Sequence, residues 1–214
     1  NTAWAFATAG HTSPALFDAV ADEATARGLR EFKAQAIANT AWAFATAGHA
    51  SPALFDAAFA TRCEGLDFTS DELAQLQQWQ LWHMERGQPP PLSHHLAERC
   101  RGALSSSSVR PSRLQRDVGR ALEALDYRVG EEEMTESGYS IDLIIEHAGT
   151  RIGIEVDGPW HFTGHSPNSR TLLKRRQLQS LGWHLVSVPY FEWDPLRNDH
   201  EKHAYLRALI RAQC

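Results

Sequence analysis

Cysteine is scarce in this sequence, and its three cysteines, Cys63, Cys100 and Cys214, lie far apart. Because an odd number of widely spaced cysteines does not make a disulfide framework, we expect a reducing compartment and assign these thiols no chemistry. A bilayer-spanning apolar run is also absent, and the hydrophobic content of 43% gives no indication of disorder. These features exclude disulfide-rich secreted, membrane-spanning and disordered classes of protein.

No signal or transit peptide precedes the first structured segment. The chain instead begins at Asn1 in the middle of a repeated unit, so we expect its natural N-terminus, and any targeting segment, to lie upstream.

The repeat has a period of 38 residues. NTAWAFATAGHTSPALFDAVA from Asn1 returns as NTAWAFATAGHASPALFDAAF from Asn39, with three differences. In each copy an apolar run ends at a glycine, and Ser-Pro then supplies a helix cap with proline at the first helical position. Each unit is therefore predicted to be two antiparallel helices, the second beginning at Ser13-Pro14 or Ser51-Pro52. Such helix pairs stack into an α-solenoid, because one pair cannot bury its apolar face alone.

The predicted domains follow from this repeat. Residues 1–104 form the solenoid, with a degenerate third unit from Ser70 as its cap. A serine-rich linker covers 105–112, and residues 113–214 form an α/β domain with a mixed sheet. In that domain we expect a helix to about Tyr127, a β-hairpin, a helix at 170–181, a third strand at 183–189 and a last helix at 199–212.

The hairpin carries the strongest chemical pattern. Polar and apolar residues alternate in two segments, 140–146 and 151–157, which are separated by His147-Ala148-Gly149-Thr150. This pattern predicts two antiparallel strands with Glu146 opposite Arg151. Counting back brings Asp142 opposite Glu155, while Ile141, Leu143 and Ile145 share the apolar face with Ile152, Ile154 and Val156. Opposed carboxylates lie about 5 Å apart and repel each other unless a cation or a shared proton intervenes.

Two interpretations of these acids remain open at the level of sequence. Asp142, Glu155 and Asp157 could hold Mg²⁺ or Mn²⁺. Alternatively there is no site, because the pair is solvated and splayed apart or because the register differs by one residue. Trp160 and His161 follow in Gly158-Pro159-Trp160-His161, a turn that places an aromatic ring and an imidazole beside the acids.

A basic cluster follows the hairpin. Four cations fall within seven residues with no acidic neighbour, which predicts a polyanion-binding helix face: Arg170, Lys174, Arg175 and Arg176.

Four blocks in order, SIDLII, IGIEVDGPWHF, LLKRRQLQSLGW and LVSVPYFEW, make residues about 114–196 resemble the RAP domain. This module occurs in organellar RNA-associated proteins, including the FAST kinase domain-containing mitochondrial family. The 38-residue units are similar to octotricopeptide or heptatricopeptide repeats in period and helix pairing alone. The resemblance implies an RNA-binding protein of a mitochondrion or plastid. Its RNA-binding residues would be Trp160 and the basic cluster Arg170, Lys174, Arg175 and Arg176.

RAP domains are in turn similar to PD-(D/E)XK nucleases of the very-short-patch-repair type, which implies a restriction-endonuclease-like fold. Asp142 and Glu155 match the two acidic positions of that family, but Asp157 replaces the lysine of its E-x-K motif. This departure puts hydrolysis in doubt, although His161 or a metal-bound water could compensate.

Three functions follow as hypotheses. The favoured one is a protein that binds single-stranded RNA and directs its processing, stability or translation without chemistry of its own. The second is a metal-dependent endoribonuclease that uses Asp142, Glu155 and Asp157 as metal ligands and His161 as base, with Lys174 and Arg175 on the phosphate. The third is a non-catalytic scaffold that binds protein partners through its solenoid.

Overall fold

The structure is a computed structural model that describes residues 1–106 and 111–213. The chain divides into two compact units, Asn1–Ser107 with Asn168–Leu173 and Ser108–Pro167 with Lys174–Cys214. Much of the predicted linker, residues 107–110, lies outside the described residues, as does Cys214. Within the described residues, none of the helices has the length and apolar character needed to cross a membrane.

The first unit is helical. Its six α-helices are α1 (Thr2–Thr8), α2 (Pro14–Arg27), α3 (Ala34–Ala47), α4 (Ala57–Glu64), α5 (Ser70–Glu85) and α6 (His94–Ser105). A 3₁₀ turn, Leu29–Glu31, precedes α3. Helix α5 begins with a capping box in which Thr69 accepts from the Glu72 amide and Glu72 accepts from the Thr69 amide. Ser105 lies in α6, so the helix extends into the predicted linker.

The two copies of the repeat do not fold alike. Ser13-Pro14 starts α2 as predicted, with proline in the first turn. The prediction for Ser51-Pro52 is wrong, because α4 begins only at Ala57 and Asp56 caps it by accepting from the amides of Ala58 and Phe59. Packing decides the difference, since Leu54 is buried and Phe55 lies against the Trp79 ring in the turn that replaces the helix start.

Successive helix pairs are joined in the same way along the first unit. Helix α1 packs on α3, and α3 packs on α5. Asn39 donates to Asn1 at 3.5 Å and accepts from Gln75 at 3.1 Å, so three amide side chains form a row across these helices. Arg62 of α4 donates to three backbone oxygens at the 3₁₀ turn, those of Leu29, Arg30 and Phe32. Neighbouring copies of the repeat are thus joined by hydrogen bonds between polar groups as well as by burial of apolar side chains.

The second unit is an α/β structure around one mixed sheet. Its strands are β1 (Gly130–Met134), β2 (Ser140–His147), β3 (Thr150–Asp157) and β6 (His184–Pro189), in the order β1-β2-β3-β6, with β3 and β6 parallel. Strands β4 (Phe162–Thr163) and β5 (Ser166–Pro167) form a separate small hairpin. The helices are α7 (Arg113–Glu123), α9 (Tyr190–Trp193), α10 (Asp199–Arg211) and the part of α8 (Ser169–Ser180) that begins at Lys174. The acidic run Glu131-Glu132-Glu133 lies within the edge strand β1.

The sheet has one fully apolar face. Helices α7 and α10 cover it through Val118, Leu122, Leu206 and Ile210, which pack on Leu143, Ile145, Ile152, Ile154 and Val156. The prediction for Ile141 is wrong, because its Cγ2 lies 3.1 Å from the position that a Cβ on Gly153 would take, on the opposite face. That face also holds Glu155 and is covered by the second half of α8.

Asp117 of α7 connects the layers on the apolar side. Its Oδ2 accepts from the buried Trp193 indole at 2.9 Å and from Lys202 of α10 at 2.6 Å. The Lys202 hydrogen bond, with that of Trp193, lowers the pKa of Asp117 despite some burial. The Asp117 carboxylate therefore accepts the hydrogen bond of the buried Trp193 indole N–H, which water does not reach.

Replacing Asp117 with alanine should lower the free energy of unfolding by about 1–2 kcal/mol, because the Trp193 indole and Lys202 lose their acceptor. Urea unfolding of the full chain measures this change. Glu123→Ala, an exposed acid at the end of the same helix, is the matched control and should stay within about 0.5 kcal/mol of the parent. Equal loss in both variants would contradict this role of Asp117.

Candidate functional site

The hairpin of β2 and β3 positions the acidic residues. Its pairs run from His147–Thr150 through Glu146–Arg151 to Leu143–Ile154, the register expected from the sequence. The connection is shorter than the four residues predicted. Ala148 and Gly149 alone form it, both at positive φ (50° and 79°), as in a type I′ turn. His147 and Thr150 are therefore paired strand residues.

The ladder changes at Asp142, one residue beyond the last regular pair. Its Oδ2 accepts from the backbone N–H of Val156 at 2.7 Å, a donor that a regular antiparallel ladder would give to a main-chain carbonyl. The Asp142 carbonyl accepts from the buried Gln115 amide at 3.1 Å. Asp142 thus fastens the end of β3 through its side chain, and this shift explains why Ile141 leaves the apolar face.

Glu155 is buried under α8, with 3% of its surface exposed. Its Oε2 lies 2.6 Å from Lys174 Nζ. Its other oxygen, Oε1, is buried without a hydrogen-bond partner among the described residues. Burial raises the pKa of Glu155 to about 7, an effect that the Lys174 cation opposes and the nearby Asp142 charge reinforces. Burial also raises the pKa of Asp142.

Asp157, at the end of β3, is the most connected acid of the site and is 1% exposed. Its Oδ2 forms a short ion pair with the Arg175 guanidinium and accepts from Ser187 Oγ at 2.6 Å. Arg175 also donates to Ser187 at 2.6 Å. The Nδ1 atom of His161 lies 3.3 Å from Asp157 Oδ1. One buried carboxylate therefore joins β3, β6, α8 and the turn that follows β3.

That turn, Pro159–His161, carries the most exposed aromatic side chain. Trp160 is 92% exposed, whereas His161 is about half exposed and faces Asp157. Beyond it, Phe162 of the small hairpin lies 5.1 Å from the ring of Phe191, and His165 lies 4.6 Å from that same ring. The surface after β3 therefore combines an outward indole with a packed group of aromatic rings.

Two side chains of the predicted basic cluster are paired with acids of the sheet. Lys174 and Arg175 point at Glu155 and Asp157 and are mostly buried, with side chains 23% and 21% exposed. Arg176 is partly buried, and Arg170 is exposed. Two of the four expected phosphate contacts are thus already paired with carboxylates of the same unit.

The predicted metal ligands do not fit a divalent ion. Mg²⁺ and Mn²⁺ need several oxygen lone pairs directed at one point. Here Asp142 accepts a main-chain N–H, while Glu155 and Asp157 each face a cation. Across residues 1–106 and 111–213, no three His, Cys, Asp or Glu side chains are grouped so that they could hold a metal ion.

Comparison with known proteins identifies the segment that carries this site. Residues 154–209 match the model of the RAP domain. Over 101 residues the chain is 34% identical to a chloroplastic RAP domain-containing protein of Oryza sativa subsp. japonica. The match covers 46% of this chain and 15% of that protein, so the chain spans a small part of its relative's length. The RAP match includes Glu155, Asp157, Trp160 and His161, whereas Asp142 lies outside it.

One member of the site was missed at the level of sequence. Ser187 bonds both Asp157 and Arg175, yet it looks like an ordinary strand residue. The available signal was its polarity within WHLVSVP, a strand that is otherwise apolar at its centre. Parallel pairing of β3 with β6 puts Ser187 beside Glu155 and next to Asp157.

Proposed function

We propose that this chain binds single-stranded RNA and that the exposed turn of its RAP domain contacts the bases. The observation that carries the proposal is Trp160, an indole 92% exposed beside His161 in a turn fixed by a buried acid. Aromatic rings on protein surfaces bind unpaired bases by stacking, because every base presents a π-face. The RAP match over this turn supports the same function.

The rest of the chain agrees with an RNA factor built from repeats. We infer that the helix pairs of residues 1–104 belong to an α-solenoid, supported by the packing of α1 on α3 and of α3 on α5. We infer a PD-(D/E)XK nuclease-like fold for residues 113–214, supported by the order helix, hairpin, helix and parallel strand. A plastid location, with a role in RNA processing, stability or translation, is proposed from the chloroplastic relative.

Trp160→Ala should weaken RNA binding about 5- to 150-fold, the loss expected when one stacked base loses about 1–3 kcal/mol. Filter binding of the full chain to labelled single-stranded RNA measures this effect. The matched control is Met134→Ala, which removes an exposed apolar side chain from the edge strand β1.

Salt separates stacking from phosphate contacts in the same assay. The Trp160→Ala defect should persist as salt rises, because stacking releases no counterions, whereas Arg170→Ala should reduce the salt dependence. Equal affinity of Trp160→Ala and the parent would move the RNA contact away from this turn. No binding by the parent at moderate salt would favour the protein-interaction scaffold.

Cleavage is the second candidate function, and the contact between His161 and Asp157 favours it. A buried carboxylate facing Nδ1 orients an imidazole as a base in many enzymes. Labelled RNA incubated with the full chain, with and without Mn²⁺, tests it. Cleavage abolished by His161→Ala would establish an enzyme. Binding without cleavage is the expected result, because the metal ligands required by the nuclease resemblance do not converge.

A further inference from the structure

The nuclease resemblance implies that the acids of the second unit hold a divalent metal. In the structure, two of these acids instead form ion pairs with cationic side chains of the same chain. Lys174 and Arg175 are adjacent residues of α8, and each faces a different acid of β3. We infer that these two side chains are built-in counter-ions that replace the metal. The acidic centre of this domain is therefore held together without Mg²⁺ or Mn²⁺.

Geometry carries the first step. Lys174 Nζ lies 2.6 Å from Glu155 Oε2, a hydrogen-bond distance that leaves no room for a cation between the two atoms. Asp157 Oδ2 already accepts from Arg175 and from Ser187. A divalent ion would have to displace these donors from both acids while lying beside two positive charges, and Coulomb repulsion opposes that arrangement.

The origin of the cations carries the second step. The nuclease motif places its lysine on the strand, two residues after the glutamate, but here that position is Asp157. The replacement adds a second buried acid to β3, and α8 provides one cation for each of the two. Buried charges persist when they are paired and hydrogen-bonded, so this exchange gives each acid of β3 a cation without an ion from solution.

If Lys174 takes the place of a metal ion, its removal should make room for one. Both oxygens of Glu155 would then be free, and the charges of Asp142 and Asp157 already act on Glu155. Lys174→Met keeps a stem of similar length without the ammonium group. This variant should gain the divalent-cation binding that the natural chain lacks. The inference does not depend on RNA binding, because its test contains no RNA.

Calorimetric titration with MnCl₂ and thermal unfolding in EDTA or in about 1 mM Mn²⁺ test the inference on the full chain. The parent should show no binding heat and a melting shift below about 1 °C. Lys174→Met should melt lower than the parent in EDTA and recover at least about 3 °C with Mn²⁺. The matched control, Arg170→Met, changes an exposed cation of the same helix and should behave like the parent.

Two further variants keep the test decisive. Lys174→Met with Glu155→Gln should fold without responding to Mn²⁺, since the acid that would bind the ion is gone. If Lys174→Met alone does not fold, the parent and Glu155→Gln decide the question. Mn²⁺ binding by the parent that is lost in Glu155→Gln would overturn the inference, and absence of binding in both would support it. A folded Lys174→Met variant that binds no Mn²⁺ would also overturn it.

Discussion

Arg175→Met is expected to lower the free energy of unfolding of the second unit by about 3–5 kcal/mol, the usual cost of leaving a buried charge without its partner. Asp157 is 1% exposed and relies on Arg175 for its ion pair. Ser187, which bonds the same oxygen, is a hydrogen-bond donor without charge. Asp157 would then be a buried carboxylate that has lost its guanidinium partner, which is the source of the cost.

A double variant distinguishes the loss of the ion pair from the loss of the Arg175 side chain itself. Arg175→Met with Asp157→Asn removes both charges and retains an amide that can bond to Ser187, so most of the lost stability should return. Arg170→Met, on the exposed first turn of α8, is the matched control and should stay within about 0.5 kcal/mol of the parent. Urea unfolding of the full chain, followed by circular dichroism, measures all three. A loss below about 1 kcal/mol in Arg175→Met would show that Asp157 does not need this cation.

The hairpin was predictable because local rules determine it. The spacing of Leu143 and Ile145 between Asp142 and Glu146 specified the buried face, and Gly149 accommodates its positive φ in the turn, whereas Ala148 adopts φ 50° against the usual preference of a residue with a Cβ atom. Those rules fail at Asp142, where a side-chain oxygen takes a main-chain donor and Ile141 moves to the other face. Residue spacing contains no information about such a substitution in the hydrogen-bond ladder.

The pairing of α8 with the sheet lies beyond a local interpretation of the sequence. Lys174 and Arg175 are 19 and 18 residues from Glu155 and Asp157, and only the crossover from β3 to β6 brings them together. Read locally, the same residues form a basic run free of acids, which is why they predicted a phosphate surface. Trp160 differs, because a turn after a strand keeps its side chain at the surface.

The second copy of the repeat shows the same limit. Asp18 and Asp56 occupy equivalent positions 38 residues apart, yet Asp18 bonds His49 at 2.8 Å while Asp56 caps α4. Nearly identical local sequence thus supports two conformations. Packing of Leu54 and Phe55, which depends on α5, determines which one forms in the second copy.

Because of Glu155, the free energy of unfolding of the second unit should fall as pH rises from about 4.5 to about 7. In this window the folded chain keeps a proton on Glu155 that the unfolded chain has released, so rising pH favours unfolding. The shift from 4.5 to about 7 corresponds to roughly 3 kcal/mol, fully present as stability below the unfolded pKa and lost above the folded one.

Glu155→Gln isolates this contribution, because glutamine has the same shape and does not titrate. The free energy of unfolding of the parent, minus that of Glu155→Gln, should decrease by about 3 kcal/mol between pH 4 and pH 8. Urea unfolding of both chains across that range measures the difference, and the raised pKa of Asp142 acts on both in the same direction. Glu146→Gln, an exposed acid of β2, is the matched control and should follow the parent at every pH. Parallel profiles for the parent and Glu155→Gln would mean that Lys174 keeps Glu155 ionised throughout, and that the ion pair outweighs burial.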